Sequence, residues 1–194
     1  VDSLGVYPYT SGLIVVRSTT PIGTIKRLIS TCNRHICHWP EHLREVTALW
    51  DAYFPDFISI GECCSKHGDL LASLLEPMGR QVLRSDTSTS EATKYSINCF
   101  KALLVTFWNE FYMISQKVPF NPHLAARIAV NDKVVPTYGT VLGKAFGGKC
   151  LPKDLRTLIK TCQIAGYEPR LLSTIESIND DFKRKYGESE IRTG

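Results

Sequence analysis

Cys150 stands in the run Phe146-Gly147-Gly148-Lys149-Cys150-Leu151-Pro152-Lys153-Asp154, between a glycine pair and a proline-led helix start. Pro152 suits the first turn of a helix, where its missing N–H costs nothing, and Asp154 suits the positive field of that turn. Cys150 therefore lies just ahead of a helix N-terminus. Unpaired amides, the helix dipole and flanking lysines such as Lys149 and Lys153 are the surroundings that favour a nucleophilic thiolate. Gly147 and Gly148 let the backbone approach a substrate without a side chain intervening. Burial as an inert thiol is the other common fate of a free cysteine, and the pattern alone leaves both open.

Other residues carry weaker signals. Lys94 and Asn98 are four apart, so on a helix they share a face and could address one developing oxyanion, although such a pair is commonly just surface. Glu41 and Glu45 have the same spacing, which alone could suggest a glycosidase pair but usually marks a solvated face. Thr19, between Ser18 and Thr20 at a strand end, reads by itself as a cap or turn residue. Cys32, His35, Cys37, His38 and His42 fall close together, yet their spacings match no standard zinc finger or ribbon. They are expected to be core or loop residues, with no metal. No histidine stands in a segment that marks it as a base for Cys150, which argues against a cysteine hydrolase.

Four blocks in order resemble the nucleotide-sugar dehydrogenase family. They are Leu13 to Pro21 (LIVVRSTTP), Pro40 to Glu45 (PEHLRE), Ser88 to Asn98 (STSEATKYSIN) with its continuation Phe107-Trp108-Asn109-Glu110-Phe111-Tyr112, and the Cys150 run. The resemblance implies an NAD-dependent, two-step oxidation of a sugar primary alcohol to a uronic acid, through a thiohemiacetal and a thioester on Cys150. It implies catalytic roles for Cys150, Lys94, Asn98, Asp154, Glu41 and Thr19. Substrate contacts are implied for Glu45, Phe146, Gly147, Gly148, Tyr138 and Lys133, and cofactor contacts for Ser18, Thr19, Glu45 and Lys153. PEHLRE and GGKCLPKD lean towards the UDP-glucose branch, and the family implies a homodimer through a long central helix.

The chain departs from the family pattern at Trp39, His42 and Val46, which reshape the loop around Pro40-Glu41, and at Lys133, where an arginine is usual. Lysine there keeps the charge and loses the planar two-pronged grip. The sequence also contains no Gly-x-Gly-x-x-Gly loop, the device that seats a dinucleotide pyrophosphate. The expectation is a central fragment of such an enzyme, with most of its NAD-binding half missing and no turnover alone. The alternative is a non-catalytic oligomerisation or ligand-binding module derived from the family.

The chain has 194 residues, 43% hydrophobic and 22% charged, an ordinary balance for a packed protein. A formal charge of +4, dispersed along the chain, gives no case for nucleic acid. Neither a membrane-length apolar run nor a secretory leader occurs, so a cytoplasmic home without membrane contact is expected. Seven cysteines without a CxxC spacing fit a reducing compartment.

The elements that must position these residues follow from periodicity. Strands are expected at Leu13 to Arg17, His35 to Trp39, Phe57 to Ile60 and Gln81 to Arg84, with helices after Pro21 and from His67 to Met78, which together read as an α/β layer with parallel strands. Ser88-Thr89-Ser90-Glu91 has the capping-box form, and Glu91 to Val118 contains neither glycine nor proline. A helix of about 27 residues there would span roughly 40 Å. Helices at Pro122 to Val130, Leu151 to Ala165 and Pro169 to Tyr186 should follow, stopped by Gly166 and Gly187. The fold class is thus α/β followed by mainly α: the end of a Rossmann-like parallel sheet layer (residues 1–87) joined to a helical domain around one long central helix (88–187), with a short tail (188–194).

Overall fold

The computed structural model describes residues 12–187. Its first elements are β1 (Ile14–Val16), α1 (Thr24–Cys32), β2 (Ile36–His38), α2 (Ala48–Tyr53), β3 (Ile58–Glu62), α3 (Ser65–Leu75) and β4 (Val82–Asp86), followed by α4 (Thr87–Ser115), α5 (Pro122–Ala129), α6 (Leu151–Ile164) and α7 (Arg170–Tyr186). The tail expected at 188–194 lies outside the described residues. By contact density the chain divides into two compact units, one running through Lys94 and the other beginning at Tyr95. The first two turns of α4 therefore count with the sheet, and the rest of that helix with the helical unit.

In the first unit the four strands lie in the order β1-β2-β3-β4. β1 and β2 are parallel, as are β3 and β4, while β2 and β3 are antiparallel with His38 opposite Gly61. The antiparallel pairing was not foreseen from sequence. Parallel neighbours need a crossover, which α1 and α3 supply, whereas β2 and β3 are joined through a 3-10 turn (Glu45–Thr47) and the six-residue α2. Cys37, Ile58, Ile60, Leu71 and Leu75 form the buried core between sheet and helix, with Val15, Trp39 and Val82 packed against it. Full burial of an isoleucine such as Ile58 or Ile60 contributes about 1.5–3 kcal/mol.

Gly61 is required by a close approach. A Cβ there would come within 2.6 Å of the Ser90 Cβ and 2.9 Å of the Thr87 Cα, so β3 runs against the start of α4 with no room for a side chain. The start of α4 is also not the capping box read from the sequence. Asp86 caps it, accepting from the Thr89 amide at 3.0 Å and from the Thr89 hydroxyl. Glu91 is fully buried and turned to α1 instead, accepting from the amides of Gly23 (2.6 Å) and Ile25 (2.9 Å) and from the Thr20 hydroxyl (2.9 Å). A carboxylate contributed from another helix thus satisfies the orphan donors of α1, whose own N-cap residue, Gly23, has no side chain to do so.

In the second unit α4 packs Cys99, Ala102 and Val105 against Phe146, Leu151, Leu155, Ile159 and Ile175 from the α6 and α7 side. Further along, Trp108 joins Ala126 of α5 and Leu142 in a second cluster. Gly139, at φ 83°, lets the loop after α5 touch α4, since a Cβ there would lie 2.9 Å from the Val105 nitrogen.

Candidate functional site

The first unit brings several of the expected residues to one edge. Ser18 and Thr19 follow β1 and Glu41 follows β2; because these strands are parallel, their C-terminal ends share the edge where open α/β sheets bind ligands. Lys94 is buried on α4 and donates to the Glu41 carbonyl at 2.5 Å, leaving the Glu41 side chain exposed. Glu45 opens the 3-10 turn, and its side chain lies outside the described residues.

His38 organises this edge, a role the sequence did not suggest. Its Nε2 lies 3.3 Å from the Ser18 carbonyl and its Nδ1 3.0 Å from the Ser90 hydroxyl. A carbonyl can only accept, so Nε2 carries the proton and Nδ1 accepts from Ser90. Burial holds the His38 imidazole below its ordinary pKa, outweighing the hydrogen bond that it donates to the Ser18 carbonyl and the charge of Glu91. The neutral ring therefore pins the Ser18-Thr19 turn. The other residues of the early Cys/His group scatter: Cys37 enters the core, His42 meets the Ser59 hydroxyl at 3.0 Å, and Cys32 ends α1.

In the second unit Cys150 occupies the N-cap of α6 with its side chain exposed, and Pro152 stands in the first turn as the sequence indicated. One turn into the helix Asp154 is 1% exposed, and both carboxylate oxygens are held. Asn98 donates to Oδ2 and Lys153 to Oδ1, each at 2.5 Å. Asn98 and Asp154 are thus brought together below the cysteine-bearing turn, as an amide and a carboxylate fixed by one another. The neighbouring Cys99 is a different kind of thiol: burial, aided by the negative charge of Asp154 and by Cys162, pushes its pKa up to about 12. It is the inert thiol of this region, and Cys150 is the one that solvent reaches.

The loop leading to Cys150 is strapped by two buried asparagines. Asn109 of α4 accepts from the amides of Gly143 (3.0 Å) and Lys144 (3.1 Å) and donates to the Lys144 carbonyl (2.6 Å). Asn179 of α7 accepts from the Phe146 amide (2.8 Å) and donates to its carbonyl (3.1 Å). Phe146 is 1% exposed, so its ring is a core anchor and its backbone polar groups are already paired. Gly147 is half-buried and Gly148, at φ 73°, is exposed, so the two residues ahead of Lys149-Cys150 are bare backbone. Tyr138 packs against the α4–α6 core with the Lys101 ammonium 5.5 Å over its ring, and Lys133 lies exposed in the turn after α5. Asn109 could have been suspected from the sequence only as a polar residue inside an apolar helix stretch. Nothing in the sequence marked Asn179.

The sequence and fold of this chain are similar to those of a known class. Residues 88–181 match the central domain of the UDP-glucose/GDP-mannose dehydrogenase family, a class of nucleotide-sugar dehydrogenases. It is 33% identical over 183 residues to a GDP-mannose 6-dehydrogenase of Pseudomonas savastanoi pv. phaseolicola, covering 88% of this chain and 42% of that protein. It is 29% identical over 192 residues to a UDP-glucose 6-dehydrogenase of Pseudomonas aeruginosa, covering 92% of this chain and 42% of that protein. The solved structure of a UDP-glucose dehydrogenase from Pyrobaculum islandicum is similar with a TM-score of 0.84 at 27% identity, over 89% of this chain and 42% of that one. The chain therefore spans about 42% of the length of the relatives it matches, and relatives of both sugar branches match it at similar identity. Among the described residues no helix is long and apolar enough to cross a membrane.

Proposed function

We propose that this chain is the catalytic central portion of a nucleotide-sugar dehydrogenase that oxidises the primary alcohol of a UDP- or GDP-linked hexose to the acid, with Cys150 as the covalent nucleophile. The observation that carries the reading is the exposed Cys150 at the start of α6, above the Asp154 carboxylate that Asn98 and Lys153 hold. The Cys150 sulfur adds to the aldehyde carbon of the half-oxidised sugar, forming a C–S bond as the carbonyl oxygen takes up negative charge. Asn98 of α4 is the donor for that oxygen; such a donor contributes about 3 kcal/mol to the transition state. Once that carbon has reached the thioester level, water attacks it, the C–S bond breaks and the thiol is released with the acid. Asp154 takes part in placing that water and receiving its proton.

NAD, when bound, supplies the hydride acceptance for both oxidations. Its fit to this chain is partial. Ser18 and Thr19 offer polar groups at the strand ends, and no glycine loop for the pyrophosphate occurs in the sequence, so the main cradle consists of residues other than these. Phe100, Phe107 and Ile114 recur every seven residues along α4 and are all about half exposed, a continuous apolar stripe that fits a second copy of the same helix.

The test is iodoacetamide labelling of the reduced chain, read by peptide mass spectrometry, with UDP-glucose or GDP-mannose present or absent. Cys150 should label fastest of the seven cysteines and be protected by one of the two nucleotide sugars, which then identifies the branch. A Cys150 rate no higher than that of exposed Cys64, with no protection by either sugar, would leave the chain as a non-catalytic module of the family.

A further inference from the structure

Four soft donors converge at the end of the sheet away from the residues discussed above. His35 precedes β2, Cys63 and Cys64 follow β3, and His67 lies in the first turn of α3. One ligand atom from each, two sulfurs and two imidazole nitrogens, lies within 4.8 Å of all the others. The Cys64 Sγ is 3.0 Å from the His67 Nδ1, and the His35 and His67 rings stack with centroids 4.1 Å apart. The topology accounts for the meeting. β2 and β3 are antiparallel with His38 opposite Gly61, and the same register carried outward sets His35 opposite Cys64. Cys64 is the N-cap of α3, so His67 sits one turn into the helix on the side facing that residue.

From this geometry we propose that His35, Cys63, Cys64 and His67 form a tetrahedral Cys2His2 site for a soft divalent transition metal of the zinc class. The donor set is the one zinc prefers in closed structural sites, and it is too soft for magnesium or calcium. Four protein ligands leave no open position, so the site staples β2, β3 and α3 together and takes no part in the sugar chemistry. Bond lengths of about 2.3 Å to sulfur and 2.0–2.1 Å to nitrogen require neighbouring ligand atoms about 3.3–3.8 Å apart. Drawing the donors together by about 1 Å is within reach of side-chain rotation at His35 and Cys64, which are both exposed.

The nearby carboxylates do not compete for the metal. Arg84 holds Glu62 at 2.6 Å and Asp69 at 2.6 Å, and also donates to the Ser65 carbonyl. A competing use of one ligand exists, because the Cys37 and Cys63 sulfurs are 3.9 Å apart in the free thiol state. The sequence spacing concealed the site. Cys-Cys-x-x-His supplies three ligands, and the fourth comes from a separate strand end, in a pattern unlike that of a finger or ribbon.

The test is anaerobic titration of the whole reduced, chelator-stripped chain with Co2+, followed by displacement with Zn2+. One cobalt per chain should give the intense visible bands of tetrahedral coordination together with sulfur-to-cobalt charge transfer, and Zn2+ should abolish both. Cys64→Ser and His35→Asn should each weaken binding at least about 100-fold, while Cys32→Ser should leave it unchanged. Both weakening substitutions are at exposed positions, and a circular dichroism spectrum equal to that of the parent chain confirms that each variant is folded. Zn2+ should also raise the melting temperature of the parent and not of Cys64→Ser. A weak octahedral spectrum, binding that survives both substitutions, or a Cys37–Cys63 disulfide forming with no stoichiometric uptake of metal would each overturn the proposal.

Discussion

Asn179→Ala tests whether the loop that presents Cys150 is held from α7. In the parent chain the Asn179 amide pairs both backbone polar groups of Phe146, at 2.8 and 3.1 Å, in a place where Asn179 is 5% and Phe146 1% exposed. Alanine removes both partners without admitting a new one. Each of the two buried backbone groups left unpaired costs about 1–3 kcal/mol, so opening of the loop should become easier by about 2–6 kcal/mol in all. At about 1.4 kcal/mol per decade, that is a fall of roughly 30-fold to 20,000-fold in protection of the Phe146 amide. Hydrogen exchange read by peptide mass spectrometry or NMR over residues 143–148 gives the number directly. Amides of α5, which packs in the other cluster of that unit, serve as the internal control. A drop smaller than about threefold, with the α5 amides unchanged, would refute the claim that Asn179 holds the loop.

Two further outcomes follow from the same structure. Burial lowers the folded-state pKa of His38 beneath the ordinary value of about 6.5. Its contribution to stability is therefore full above about pH 6.5 and is lost as pH falls through the folded pKa, and urea denaturation should show a slope in that window that His38→Gln flattens. An NMR titration placing the His38 midpoint at or above 6.5 would contradict this. Phe107→Glu places a charge at the centre of the exposed α4 stripe and should shift the chain from dimer to monomer in sedimentation velocity while leaving its circular dichroism unchanged; a monomeric parent chain would remove the basis for a dimer through α4.

Much of the architecture was legible because local chemistry and tertiary context agree. The four strands, the long helix free of glycine and proline, Pro152 in the first turn of α6 and the stops at Gly166 and Gly187 all lie within a few residues of where periodicity and capping put them. The short α2 was missed because its apolar residues Leu49, Trp50 and Tyr53 are exposed and mark no buried face. The capping box was misread because Ser88 to Glu91 satisfies a local rule, while the buried Glu91 carboxylate is used by the amides of α1.

The sequence by itself determined which residues are candidates for the proposed chemistry, since the identity and order of Cys150, Asp154, Lys94, Asn98, Glu41 and Thr19 are properties of short segments of the chain. Only the tertiary structure decided what supports them and what else meets. Asn179 reaches Phe146, His38 reaches Ser18, and His35 reaches Cys63, Cys64 and His67. Each is a contact between segments distant in sequence, formed because burying apolar faces and pairing strands sets a register that no local pattern encodes. A buried polar group must find its partner wherever that register brings one.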